Sequence, residues 1–298
     1  MMTNEQLRHQ IITLHYIYPL PLQKLQLLLN RLEDLSELHT ISHIHLAKLL
    51  NVSELRANKI KMLYNDYLSI PFEKIYKEKD IHIILYNDQH YPKELLQLMD
   101  PPTLLYIVGD LTILSDEKIA IIGSRNATDY SRIALNYIVP PLVENHYTIV
   151  SGLARGADTM AHESTIEFGG KTIGVLGSGF DFIYPKENQN LFQMMRKNHC
   201  VITEFPPYMG PKKWHFPMRN RIISGMSKAL VVTEAAARSG TLITTEHALE
   251  HGKDVFVVPG PINHPQCNGT NQLLKEGAIP VWNGYQIVDE MSLFQPNI

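Results

Sequence analysis

From Asp80 onward the sequence alternates short apolar runs with amphipathic stretches, and this alternation constrains the fold more than any other feature. The runs are rich in β-branched residues, as in IHIIL at 81–85, KIAIIG at 118–123 and ALVVT at 229–233. Short strands separated by helices are typical of βαβ units, which build parallel sheets. We therefore predict the α/β class, with an extended, Rossmann-like and mostly parallel sheet.

The first 66 residues differ in composition from the rest. They contain no glycine, whereas glycine is frequent beyond residue 109. Leucines recur at helical spacing at positions 22, 25, 28, 29 and 32, and Ser53 is a suitable N-cap for a helix over roughly 54–66. We predict a small all-helical N-terminal domain at 1–66, a Rossmann-like domain at 67–290 and a tail at 291–298. The helical domain is expected to pack against its neighbour, with DNA contact as the alternative.

Composition limits the possible partners. Lys and Arg total 27 against 30 Asp and Glu, for a net charge of −3, so any nucleic acid must bind a local basic patch. The two cysteines, Cys200 and Cys267, are too few for a disulfide framework and indicate a reducing compartment. No apolar run approaches the ~20 residues that span a bilayer. We expect a cytoplasmic protein that makes no membrane contact.

Small or cationic residues follow several of the predicted strands. These turns are Gly123-Ser124-Arg125, Ser151 to Gly156, Gly177-Ser178-Gly179, Arg238 to Thr241 and Pro259-Gly260. Parallel strands bring such turns to one edge of the sheet, where ligands of this fold bind. Arg125 and Arg155 are predicted phosphate ligands, because a planar guanidinium contacts two oxygens at once. Lys186 is expected near the same edge.

The segment from Trp214 to Arg221 combines aromatic and basic residues. Stacking of a base on Phe216 or Trp214, with phosphates paired to Arg219 and Arg221, suits single-stranded nucleic acid. Burial of either ring in the core is an equally good interpretation. Farther along, Ser239-Gly240-Thr241 is predicted to begin a helix, whose first N–H groups bind phosphate well.

Sequence motifs for most nucleotide-dependent enzymes are missing. The first Rossmann strand is not followed by G-x-G-x-x-G, and Gly169-Gly170-Lys171-Thr172 leads into a strand, unlike a P-loop. Motifs of zinc proteases and esterases are also absent, so we predict neither a cofactor nor a metal. The alternative is hydrolysis of an N-glycosidic bond, for which Glu204, Glu234 and Glu246 are candidate acids.

Several of these motifs together resemble the DNA-processing protein A family (DprA, also called Smf). The resemblance rests on IIGSR, SGLARGAD, GVLGSGFDFIYPKEN, FPMRNRIISGMS and EAAARSGT, in unbroken order within about residues 80–280. The helical segment resembles that family's sterile-alpha-motif-like domain less specifically. By motif, the resemblance implies DNA contacts at Ser124, Arg125, Arg155, Lys186, Phe216, Arg219, Asn220, Arg221, Ser239, Gly240 and Thr241.

The resemblance also implies a role. Such proteins bind single-stranded DNA during natural transformation, load the RecA recombinase, act alongside single-strand-binding protein and form homodimers through the Rossmann domain, here at about 240–280. They are mediators of recombination and not enzymes. The alternative within the same broad fold is a nucleoside-monophosphate phosphoribohydrolase with a P-G-G-x-G-T-x-x-E run. Thr244 stands where that run needs its glutamate, which disfavours the enzyme.

Overall fold

The computed structural model describes residues 3–32, 34–237 and 239–293, and it begins with a group of helices. These are α1 (Asn4–Ile17), α2 (Leu22–Leu29), α3 (His43–Leu50), α4 (Glu54–Tyr67) and α5 (Phe72–Lys77), with a 3₁₀ turn at Leu35–His39. The Ser53 hydroxyl accepts from Arg56 N at 3.3 Å and caps α4, as predicted. Helical structure continues to Lys77, beyond the predicted end at residue 66.

In the part of the chain that the structure describes, nine strands form one sheet. The strands are β1 (His82–Leu85), β2 (Leu104–Gly109), β3 (Lys118–Ile122), β4 (Thr148–Ser151), β5 (Thr172–Leu176), β6 (Cys200–Thr203), β7 (Ala229–Val232), β8 (Asp254–Val257) and β9 (Ile279–Pro280). Their order is β1-β2-β6-β5-β4-β3-β7-β8-β9. The β1–β2 and β2–β6 pairs are antiparallel and the others are parallel. The predicted mostly parallel, Rossmann-like sheet is confirmed.

The strand order reverses at β3. From β3 the chain proceeds through β4 and β5 to β6 on one side, and it then returns to place β7 against the other side of β3. Connections that leave β3 and β7 in opposite directions open a crevice beyond their carboxyl ends. Ligands bind at such a switch point in open α/β sheets.

Among the described residues, seven further helices flank the strands. They are α6 (Asp129–Glu144), α7 (Ala157–Glu167), α8 (Gln189–Asn198), α9 (His215–Met226), α10 (Gly240–Glu250), α11 (Asn268–Lys275) and α12 (Gly284–Leu293). Shorter 3₁₀ turns lie at Lys93–Gln97, Leu111–Ser115, Lys186–Asn188 and Pro265–Cys267. The first of these turns replaces the full helix that the sequence pattern indicates at 93–99. None of the described helices is long and apolar enough to cross a membrane.

The structure adds three features to the description of these helices. The basic segment after Trp214 forms α9, whose start lacks a side-chain cap and carries Pro217 in its first turn, where no N–H partner is lost. Pro140 and Pro141 favour a bend or an interruption of a helix, yet α6 continues through both residues. The carbonyls that lose a partner belong to Asn136 and Tyr137, which are exposed to water. The predicted tail begins inside α12, and residues 294–298 lie outside the described part.

One apolar core joins the N-terminal helices to the sheet. It includes Leu14 of α1 and Tyr106 of β2, both fully buried. The buried His15 ring adds a polar link, since its Nε2 lies 2.8 Å from Glu204 O and its Nδ1 accepts from Leu20 N at 3.2 Å. Two other clusters fill the rest of the sheet's faces. The helices therefore pack on the sheet as expected, while the boundary near residue 66 stays a prediction.

Candidate nucleic-acid interface

A cavity of about 650 Å³ lies at the switch point of the sheet. Its wall is formed by the segment after β3, by α9, by the N-terminus of α10 and by single residues from neighbouring loops. The polar residues of this wall are Ser124, Arg125, Asn126, Asp158, Tyr184, Lys213, Arg219, Asn220, Ser239, Thr241, Thr244 and Gln266. The position agrees with the expected ligand site of an open α/β sheet.

Arg125 and Phe216 form a cation–aromatic pair in the cavity wall. The guanidinium carbon of Arg125 lies 5.3 Å from the centroid of the Phe216 ring, and the ring centroids of Tyr184 and Phe216 are 5.8 Å apart. Arg125 is exposed and Phe216 is half-buried, so both side chains remain at least partly accessible to a ligand. This pair combines a charge for a phosphate with a flat surface for a base.

Arg219 is a buried part of the wall. Its Nη1 donates to Gly152 O and, at 2.7 Å, to Val175 O, while its Nε donates to Asn220 Oδ1 at 3.0 Å. Burial lowers the pKa of Arg219 to about 10, and the neighbouring Asp158 partly offsets this effect. Arg219 therefore stays charged at neutral pH, with these donors committed to the scaffold. Direct DNA contact by Arg219 stays a prediction.

The N-terminus of α10 supplies the third feature of the cavity. Ser239 is its N-cap, Gly240 is its first residue, and the Thr241 hydroxyl donates to Gly123 O at 3.1 Å. The buried Ser239 hydroxyl has no hydrogen-bond partner among the residues that the structure describes. Unpaired N–H groups and the helix dipole favour an anion here. Arg238, which precedes this turn, lies outside the described residues.

Ser124 connects two walls of the cavity. Its hydroxyl donates to Gln266 Oε1 at 2.6 Å and accepts from Asn126 N at 3.0 Å. Gln266 was not predicted as part of the site, because it lies far along the chain in a loop without a recognisable motif. Asp158 was missed for a different reason, since an acid in the first turn of a helix ordinarily interacts with the helix dipole.

Three predicted contacts lie outside the cavity wall. Arg155 and Lys186 are exposed near the same edge of the sheet, and Arg155 forms an ion pair with Glu187. Arg221 is buried, and its Nη2 donates to Glu204 Oε2 at 2.5 Å. Burial raises the pKa of Glu204, and the charge of Arg221 partly offsets this effect. The geometry assigns Arg221 to internal packing, away from the other candidate contacts.

Comparison with known proteins identifies the family. The model of the family described as "DNA recombination-mediator protein A" matches residues 82–292, which is more than half of the chain. The chain belongs to this family. The DNA processing protein DprA of Bacillus subtilis is 43% identical over 217 residues, an alignment that covers 72% of this chain and 73% of the relative.

Solved structures give the same result. The chain is similar to DNA processing protein A from Streptococcus pneumoniae, with a TM-score of 0.77 and 34% identity over 97% of this chain and 98% of that one. It is also similar to DNA processing protein A from Helicobacter pylori, with a TM-score of 0.64 and 31% identity over 71% of this chain and 95% of that one. The Helicobacter pylori protein is described as having a unique single-stranded DNA binding mode.

The acids considered for hydrolysis do not meet in the cavity. Glu246 is exposed on α10 and outside the wall, Glu204 pairs with Arg221, and Glu234 is buried, where it accepts from Thr128 N at 2.7 Å. Among the described residues of the wall, Asp158 is the one carboxylate, and it lies beside Arg219. The site thus offers cations and a helix N-terminus more readily than an acid–base pair.

Proposed function

We propose that this chain binds single-stranded DNA at the switch-point cavity and acts as a recombination mediator. The Arg125–Phe216 pair beside the N-terminus of α10 is the observation that carries the proposal. It places a charged group, a partly exposed ring and unpaired N–H groups around one opening, which suits phosphates together with unstacked bases. The single-stranded DNA binding mode described for the Helicobacter pylori protein supports this choice of ligand.

The test is a fluorescence anisotropy titration with labelled single-stranded and duplex oligonucleotides at several salt concentrations. We expect tighter binding of single strands, because duplex bases are not free to stack on Phe216. Arg125→Ala should weaken single-strand binding and reduce the salt slope by about 0.7, the value for one phosphate contact on a single strand. Its unfolding midpoint should stay unchanged, since Arg125 is exposed.

Arg132→Ala is the matched control. Arg132 is an exposed arginine on α6, paired with Glu163 and absent from the cavity wall. Its removal changes the net charge by the same amount and should leave both the affinity and the salt slope near wild type. Equal effects of the two substitutions would show that bulk charge, and not the cavity, determines binding.

We further propose that the bound strand is passed to RecA, in the presence of single-strand-binding protein, by a homodimer formed through the Rossmann domain. Family membership supports this role, and Ile243 and Leu249 are exposed apolar residues of α10 within the predicted contact region at 240–280. Assembly of RecA on DNA coated with single-strand-binding protein should be faster with wild type than with Arg125→Ala. Sedimentation would measure the dimer independently of DNA.

We propose a binding role without catalysis. Hydrolysis of a nucleoside monophosphate needs a carboxylate placed at the sugar, and Glu204, Glu234 and Glu246 lie outside the cavity wall. Incubation of the protein with nucleoside monophosphates should release no free base. Release that is abolished by Asp158→Asn would instead support the hydrolase alternative.

A further inference from the structure

Three side chains of metal-binding types lie together next to Gln266. They are Glu234, just after β7, His264, which precedes the 3₁₀ turn at Pro265–Cys267, and Cys267, which ends that turn. One donor atom from each side chain lies within 4.8 Å of the others. We propose that these residues form a binding site for a transition-metal ion, with Zn²⁺ as the best match.

Nδ1 of His264 is about equally far from a donor atom of each of the other two side chains. Glu234 Oε1 and Cys267 Sγ each lie 4.0 Å from Nδ1 of His264. A ring nitrogen carries at most one proton, and both separations are too long for a strong hydrogen bond, so His264 Nδ1 is poorly paired with either neighbour. A cation between them would interact with all three.

The separations are close to those of a zinc site. Typical zinc bond lengths and tetrahedral angles place a sulfur and a nitrogen ligand about 3.6 Å apart, and a nitrogen and an oxygen ligand about 3.3 Å apart. The observed distances of 4.0 Å exceed the sulfur–nitrogen value by about 0.4 Å and the nitrogen–oxygen value by about 0.7 Å. Small side-chain rotations within the loop would close that gap.

The types of the three ligands indicate which metal ion would bind. A thiolate and an imidazole favour zinc over magnesium or calcium, which prefer oxygen ligands alone. Glu234 and Cys267 are buried, whereas the His264 side chain is 41% exposed, so an ion can enter from solvent past His264. Three protein ligands leave the fourth tetrahedral position for water.

The surroundings already orient the carboxylate. Glu234 Oε2 accepts from Thr128 N and from the Ser131 hydroxyl, both at 2.7 Å. Glu234 Oε1 accepts from the Thr128 hydroxyl at 3.0 Å and lies 4.0 Å from His264 Nδ1. Such second contacts fix ligand geometry in metal sites. On binding, the S–H bond of Cys267 breaks, a sulfur–metal bond forms and the proton passes to solvent.

The test is a zinc titration of the whole protein, without DNA, in competition with a chromophoric chelator. We expect one zinc per chain, with affinity at least about tenfold weaker in both Cys267→Ser and His264→Gln. His247→Gln is the matched control, because His247 lies in a surface group with Glu250 and His251 that could bind zinc adventitiously. It should bind as wild type does.

Two further measurements complete the test. Cobalt(II) should give a thiolate-to-metal absorption band in wild type that Cys267→Ser lacks. Zinc should raise the unfolding temperature of wild type but not that of either variant. Absence of stoichiometric binding, or equal affinity in wild type and His264→Gln, would overturn the proposal. Loss of binding in His247→Gln alone would overturn it as well. His264→Gln decides the matter if Cys267→Ser fails to fold, since His264 is substantially exposed.

Discussion

Replacing Arg219 with alanine should destabilise the fold strongly, which distinguishes this residue from Arg125. Arg219 is only 4% exposed, and its guanidinium lies among backbone carbonyls and the carboxylate of Asp158. Truncation leaves Gly152 O and Val175 O without these donors and removes the charge that compensates Asp158. Each loss falls in a region that water enters poorly.

The expected cost follows from these contacts. A buried acceptor that loses its partner costs about 1–3 kcal/mol, and leaving a buried carboxylate without its compensating charge costs up to about 3–5 kcal/mol. The two effects overlap, because protonation of Asp158 relieves part of the second, and burial already raises the pKa of Asp158. We therefore expect Arg219→Ala to lose about 3–5 kcal/mol of unfolding free energy, against a usual total of about 5–15 kcal/mol.

A double-mutant cycle in urea, followed by circular dichroism, provides the assay. Wild type, Arg219→Ala, Asp158→Asn and the double variant are compared at neutral pH. The double variant should lose less than the sum of the single variants, with a coupling of about 1–3 kcal/mol. A loss below about 1 kcal/mol for Arg219→Ala, or strictly additive losses, would refute a buried structural role for this guanidinium.

Two other predictions concern stacking and acid stability. Phe216→Ala should weaken single-strand binding by about 1–3 kcal/mol and leave duplex binding nearly unchanged, as measured by anisotropy with Tyr137→Ala as an exposed aromatic control. Burial lowers the pKa of His15 to about 4 and that of His162 to about 3, against 6.5 for a free ring. The unfolded chain therefore binds more protons below about pH 6.5, and stability should fall as the pH drops from there towards 4, by up to about 1.4 kcal/mol per pH unit and histidine. His15→Gln should reduce this loss of stability at low pH, as measured by urea unfolding at several pH values. An unchanged pH dependence would contradict the assignment to His15.

Local pattern was sufficient to predict most of the sheet. The β-branched runs at 118–123 and 229–233 became β3 and β7, because central parallel strands are buried on both faces and leave a continuous apolar signal. The sequence pattern did not indicate α9, the helix that contains Phe216 and Arg219. No side-chain cap marks its start, and Nδ1 of His215 lies 3.1 Å from Gly177 O.

The candidate site was predictable only in part. Arg125 and Thr241 follow strands directly, so the expected position of a ligand at strand ends located them. Arg219 and Arg221 lie in the same basic segment, so the sequence gives no reason to distinguish them. In the structure their side chains leave the helix on different faces and reach different partners. Gln266 and the Glu234–His264–Cys267 cluster depend on residues distant in sequence, which no local motif records.

The hydrogen bond between Ser124 and Gln266 joins residues 142 positions apart. Segments after β3, in α9, at the start of α10 and before α11 all contribute to the same cavity, so its assembly requires nearly the whole sheet. Such long-range pairings form late, and their loop-closure cost slows folding. A ligand that binds only the completed cavity also stabilises the native state by mass action. Binding capacity should therefore report the natively folded fraction of a preparation, and partly folded chains should contribute nothing to it.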